Sequence, residues 1–182
     1  MCKKALVTLF ALAISVSAFA EQRKDLEVVR DISDQVNRYT QFTIFDNVEA
    51  DVSSGRVVLK GAVTMPYKKD DIERRVRAVD GVTAIENRIE ILPVSRVDDE
   101  LRYRVARAIY GNSAFWNYAA MANPPIHIVV KGGHVTLVGV VNNNVERMLA
   151  RSLATGFGEF EVRNALKTDA EMREEMERIA RM

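Results

Sequence analysis

Val29, Ile32, Val36 and Tyr39 stand at i, i+3, i+7 and i+10, the apolar stripe of an amphipathic helix. Two stretches of alternating apolar and polar residues follow, 48–52 and 57–63, and Ser53, Ser54 and Gly55 between them predict a hairpin turn. Pro66 suits the first turn of a second helix, where a missing N–H removes no helical bond, and Ile72, Val76 and Val79 supply its stripe. Asp80 and Gly81 end that helix, because glycine accepts the left-handed cap. A third strand over 83–92 completes an α-β-β-α-β unit.

The same order returns downstream. Leu101, Val105, Ala108 and Ile109 make a first helical stripe, and Val145, Leu149 and Leu153 a second. Asn142, Asn143 and Asn144 supply N-cap side chains before that second helix, and 162–166 forms the closing strand. The copies align residue by residue: Gly55, Val57, Leu59, Gly61 and Val63 recur as Gly133, Val135, Leu137, Gly139 and Val141, at a constant offset of 78. Val48, Ala50 and Val52 recur as Ile126, Ile128 and Val130 at the same offset. Gly81, Ile85, Asn87 and Ile89 recur as Gly158, Val162, Asn164 and Leu166 at offset 77, so one loop residue is lost between. An internal repeat of this kind decides the architecture. The fold class is α+β: two tandem α-β-β-α-β domains, 26–93 and 94–168, packed together and followed by a C-terminal helix over 169–182.

That terminal helix carries Met172, Met176 and Ile179 on one stripe, with Glu174/Arg178 and Glu177/Arg181 at i, i+4. The linker Pro93-Val94-Ser95-Arg96 is too short to be a flexible tether, so the two units should touch. A domain of this size buries about 60% of its unfolded surface alone, which favours mutual packing.

Residues 1–20 read as a signal peptide. Met1, Cys2, Lys3 and Lys4 form a basic head, 5–19 an apolar core, and Ala18-Phe19-Ala20 a small-x-small cleavage site before Glu21. The stretch falls short of the ~20 apolar residues a membrane span needs, and charges follow at once. The expected mature chain is therefore periplasmic, cleaved after Ala20, with no transmembrane helix. Cys2 precedes the apolar core, which is not where a lipoprotein carries its lipidated cysteine. Cleavage removes two of the 26 basic residues, none of the 25 acidic ones and the sole Cys, moving the net charge from +1 to one negative charge.

Near-neutral charge argues against a nucleic-acid partner, which normally meets a large Lys/Arg excess. One Cys and two His build no metal or redox cluster, and GxSxG, HExxH, Walker A and GxGxxG are missing from the sequence. These points predict a non-enzymatic binding or structural protein without cofactor or metal. His127 lies on a strand and His134 in a turn, with no third ligand spaced to join them. Lys68, Lys69, Arg74, Arg75 and Arg77 interleave with Asp70, Asp71 and Glu73 and read as a solvated face. Gly61 and Gly139, inside strands, mark a bulge or the close approach of a helix. Gly55 and Gly133 are turn residues, and Asn87 and Asn164 are expected to hydrogen-bond neighbouring backbone.

The doubled unit, with G-x-V-x-L-x-G-x-V on its hairpin and Gly, Ile, Asn and Ile spaced along its last strand, resembles the BON domain. Both copies share the resemblance. The second departs from it at Phe157-Gly158-Glu159, where the family usually has Val after Gly, and in a longer first loop. The resemblance implies an envelope protein, usually periplasmic, with membrane-stress, phospholipid-binding or chaperone-like roles and no catalysis.

On a helical wheel Tyr103, Arg107 and Tyr110 fall opposite the stripe of Leu101 and Val105, and so are expected to face outward. Tyr and Trp favour membrane interfaces, Arg pairs with phosphate, and the next segment adds Phe115, Trp116 and Tyr118. These six residues are the expected lipid- or partner-binding surface. In phospholipid-binding members of the family, the resemblance implies, this helix of the second domain contacts anionic lipid. The other reading of the same aromatics is that they fill the seam between units or cover the core. The function expected is association with envelope phospholipid in support of envelope integrity under osmotic and other stress. The alternative is a periplasmic chaperone-like or scaffold protein that engages polypeptides through the same aromatics or through exposed strand edges.

Overall fold

The computed structural model describes residues 25–180. The proposed signal peptide lies outside the described residues, as do Arg181 and Met182. The first unit comprises α1 (Asp25–Asn37), β1 (Asn47–Ser53), β2 (Arg56–Val63), α2 (Pro66–Arg77), β3 (Ala84–Asn87) and β4 (Glu90–Ile91). The second comprises α3 (Arg96–Tyr110), a short 3-10 turn at Ser113–Phe115, α4 (Trp116–Ala119), β5 (Ile126–Lys131), β6 (His134–Val141), α5 (Asn144–Leu153) and β7 (Glu161–Thr168). Helix α6 (Asp169–Ala180) follows.

Each unit places its second strand at the centre. In the first, β2 pairs antiparallel with β1 and parallel with β3 and β4. In the second, β6 pairs antiparallel with β5 and parallel with β7. Period-2 alternation turns Val57, Leu59 and Val63 inward on β2, and Val135, Leu137 and Val141 on β6, so each sheet buries one face under its own helices. The single strand expected over 83–92 is two strands, Ala84–Asn87 and Glu90–Ile91, although the Asn87 side chain accepts the Ile89 N–H just as Asn164 accepts that of Leu166 in the unbroken β7.

Side-chain devices explain why the chain turns where it does. Ser54 and Gly55, and again Gly132 and Gly133, hold the left-handed pair of a type I′ hairpin. Each hairpin is braced from the first turn of the preceding helix. The Asp25 carboxylate accepts the Ser54 and Gly55 amides (3.0 and 3.4 Å), and the buried Asp98 carboxylate accepts those of Gly132 and Gly133, both at 2.8 Å. Gly61 and Gly139 mark close approaches not of a helix but of backbone carbonyls, that of Asn47 at the start of β1 and that of Pro125 just before β5. Asn87 Nδ2 donates to the Lys69 carbonyl and Asn164 Nδ2 to that of Arg147, the backbone bonds anticipated, and in both units the carbonyl belongs to the second helix. Gly81 and Gly158 take positive φ in the loops between them. Asn143 caps α5 through the Glu146 N–H, and Pro66 opens α2.

Two expected stripes shift. Val28 rather than Val29 joins Ile32 and Val36 on the buried face of α1, and Val145 at the start of α5 is 75% exposed, while Ala150 and Ala154 with Leu149 and Leu153 form the inner face.

The units touch along a seam. The Ile44 carbonyl, in the loop before β1, accepts the Ile128 N–H at 2.7 Å and so covers the outer edge of β5. Phe45 from the same loop packs against the second core, Asn123 Nδ2 donates to the Asn37 carbonyl, and α6 reaches back to lie against α1.

Candidate functional site

Helix α3 is fixed by its Ser95 N-cap and by Leu101, Val105 and Ile109, which enter the second core. Tyr103 and Arg107, four residues apart, then stand on its outward face, Tyr103 64% exposed with the Phe45 ring edge-on to it at 5.1 Å. Arg107 makes no ion pair among the described residues, whereas Arg104 pairs with Glu100 and the buried Arg102 donates to the Val130 carbonyl. Trp116, at the start of α4, is 63% exposed.

The other three aromatics turn inward, as the core-covering reading has it and not as an exposed binding surface would need. Tyr110 lies only about 100° round the helix from Ile109, and the returning segment 112–125 carries the backbone of Ile126 onto its hydroxyl, which donates to the Ile126 carbonyl. Burial holds that phenol well above the ordinary range. Phe115 is wholly buried in the second core. Tyr118 is buried too: its hydroxyl donates to Glu146 Oε2 (2.6 Å) and accepts the Asn142 N–H (3.0 Å), and burial together with the Glu146 bond pushes its pKa up to about 12. Of the six residues, Tyr103, Arg107 and Trp116 remain at the surface.

A second cluster was not foreseen from the sequence. Asp46, fully buried beside the seam, accepts Lys68 Nζ at 2.7 Å, the Thr43 N–H and Oγ1 at 2.8 Å, and the Thr64 N–H and Oγ1 at 2.7 and 2.8 Å. Burial pushes its carboxyl upward, but the bonds from Lys68, Thr64 and Thr43 outweigh it and hold the group below the usual carboxylate range. Lys68 is therefore a buried partner rather than part of a solvated basic face. The backbone carbonyl of Asp46 sits 2.6 Å from His127 Nδ1, so that nitrogen carries the proton, and burial lowers the His127 pKa. His127 is a seam residue, next to a cleft of about 410 Å³ lined by Ile32, Val36, Phe42, Val48, Pro125 and Val140 among others. Among the described residues no group of three or more His, Cys, Asp or Glu side chains could hold a metal ion, and no helix is long and apolar enough to cross a membrane.

Compared with known families, the model for the BON domain matches residues 24–93 and 112–170, more than half of the chain. The chain belongs to the BON domain family. BON domains are generally non-enzymatic and envelope-associated. The second match starts after α3, so the helix that carries Tyr103 and Arg107 lies outside it, although α3 packs on β5 of the second BON unit as α1 packs on β1 of the first. Among solved structures, CdsD, a structural protein of the type III secretion system of Chlamydia trachomatis, is 15% identical, over 83% of this chain and 97% of that one, at a TM-score of 0.29. The C-terminal domain of the same protein is 12% identical, over 77% and 96% of the two chains, also at 0.29. At that score the likeness assigns nothing to this BON protein. No curated protein matches the sequence.

Proposed function

We propose that this BON protein is exported to the periplasm and associates peripherally with anionic phospholipid of the cell envelope, supporting its integrity under stress. The observation that carries the reading is Arg107, a surface cation without an ion-pair partner among the described residues, one helical turn from the exposed Tyr103 and followed by the exposed Trp116. A guanidinium meets a phosphodiester through paired N–H donors, while tyrosine and tryptophan rings sit at the headgroup level. For the alternative, a polypeptide-binding chaperone or scaffold, the edge of β5 offers little, since Ile44 already occupies it.

The sole tryptophan reports on this surface without labelling. Trp116 emission should start red, as its exposure requires, and shift blue on adding phosphatidylglycerol vesicles but not zwitterionic ones. Each basic residue at an anionic surface contributes on the order of 1 kcal/mol, so Arg107→Glu, which also adds a repulsion, should weaken vesicle binding roughly tenfold or more. Emission that ignores anionic vesicles would remove the reading. Export has its own check: N-terminal sequencing of the envelope fraction should find Glu21 first, and retention of Met1 would count against it.

A further inference from the structure

The two BON units carry the same notch between their second helix and last strand, filled in one and open in the other. In the first unit, Asn87 Nδ2 donates both to the Lys69 carbonyl (3.3 Å) and to Glu73 Oε2 (3.0 Å), and Glu73 is paired with Arg77. The notch thus holds a carboxylate, and its asparagine uses both amide hydrogens. The second unit keeps the frame, with Asn164 Nδ2 donating to the Arg147 carbonyl at 2.8 Å and Ala150 and Ala154 buried where Ile72 and Val76 are. At the 78-residue offset, however, Glu73 becomes Arg151 and Arg77 becomes Thr155. The carboxylate is gone, and a cation stands at its position.

What remains is an open notch of about 490 Å³ lined by Arg147, Met148, Arg151, Ser152, Thr155 and Asn164. Glu171 of α6 already meets Arg147, at 3.0 Å to both carboxylate oxygens, but Arg151 has no ion-pair partner among the described residues. The second amide hydrogen of Asn164 has no acceptor corresponding to Glu73 among the described residues. Beside the notch Met148 is 71% exposed, one turn from the exposed Val145.

We infer that this notch is a docking site for a carboxylate side chain of a protein partner, an acidic residue flanked by apolar ones. The first unit shows the chemistry the frame accepts, a glutamate carboxylate held by the asparagine amide and one arginine. In the second unit Arg151 supplies the arginine and the carboxylate comes from outside, while Met148 and Val145 offer apolar surface to its neighbours. The site lies on α5 and β7, distinct from the α3 surface, so it stands or falls independently of phospholipid binding.

The test is an NMR titration of the full mature chain, following the Asn164 side-chain amide. The probe is an acetylated and amidated Glu-Leu-Leu-Glu peptide, with Gln-Leu-Leu-Gln, inorganic phosphate and phosphatidylglycerol vesicles as separate arms. The Glu peptide should shift the Asn164 resonances saturably and the Gln peptide should not. Loss of a charge-assisted pair should weaken Glu-peptide binding about tenfold or more in both Arg151→Glu and Arg151→Ala, while Arg107→Glu leaves it unchanged. Arg151→Glu returns the first unit's carboxylate to its place beside Asn164, with Thr155 standing where that unit has Arg77, and should fold as well as the parent. If it does not, Arg151→Ala carries the comparison. Equal shifts from the Gln peptide, unchanged binding after loss of Arg151, or a stronger response to phosphate or vesicles than to the Glu peptide would each overturn the assignment.

Discussion

Replacing Gly139 with Ala is expected to destabilise the second unit by about 3–5 kcal/mol, a large share of the ~5–15 kcal/mol that holds an ordinary domain folded. Gly139 sits at φ +118, a backbone conformation that L side chains rarely adopt, and a Cβ there would lie 1.8 Å from the Pro125 carbonyl oxygen. That oxygen also accepts the Val140 N–H (3.3 Å), and the adjoining residue Ile126 is Gly139's partner in the β5–β6 register. The carbonyl therefore cannot retreat without loosening the edge that joins the two units. Gly132→Ala is the matched comparison: its φ is +58 and nothing lies within 4 Å of the added methyl, so backbone strain alone should cost about 1 kcal/mol. Urea midpoints followed by circular dichroism should separate the two variants clearly, and equal losses would mean that the contact with Pro125 is relieved by a small adjustment.

Such positions were legible because the repeat wrote them twice. Gly61 and Gly139 recur at one offset inside alternating strands, and the pleat leaves few reasons for a doubled glycine other than a close approach. Asn87 and Asn164 were legible in the same way. What stayed hidden lacks that symmetry. Asp25 and Asp98 perform one task, bracing a hairpin, but stand 73 residues apart where the hairpins stand 78 apart, because the loop after the first helix differs in length. Asp46 and Lys68 have Pro124 and Glu146 at the repeat offset, so no second copy marks them, and their pairing spans the β1–β2 hairpin and the start of α2. Inside the second unit the equivalent corner is closed instead by Tyr118 and Glu146. The helical wheel sorted Tyr103 and Arg107 correctly because solvent lies opposite the core there. It missorted Tyr110 because a wheel contains one core direction and the returning segment before β5 adds a second covering surface.

The other large effect expected belongs to Asp46. Asp46→Ala should cost about 3–5 kcal/mol, because it leaves the Lys68 ammonium, 5% exposed, buried without its carboxylate. Lys68→Met preserves most of the stem's volume and leaves Asp46 with four neutral donors from Thr43 and Thr64, so its loss should be smaller, about 1–3 kcal/mol. The double variant should lose less than the sum, since neither partner then remains stranded. Acid adds a second signature. The carboxyl of Asp46 has a lower pKa folded than unfolded, so the unfolded chain binds the proton more readily, and the stabilisation is complete above the ordinary value of about 3.9 and lost as pH falls through the folded one. Between pH 7 and pH 3 the parent should therefore lose more stability than the double variant. The same loop carries the Ile44 carbonyl that accepts Ile128 and the Asp46 carbonyl that meets His127, so loosening it should be felt across the seam. Hydrogen exchange at the Ile128 amide should quicken in Asp46→Ala more than exchange at Val57, deep in the first sheet. Parallel acid profiles for parent and double variant, with Ile128 protection intact in Asp46→Ala, would show that the buried pair neither secures the first unit against acid nor ties it to the second.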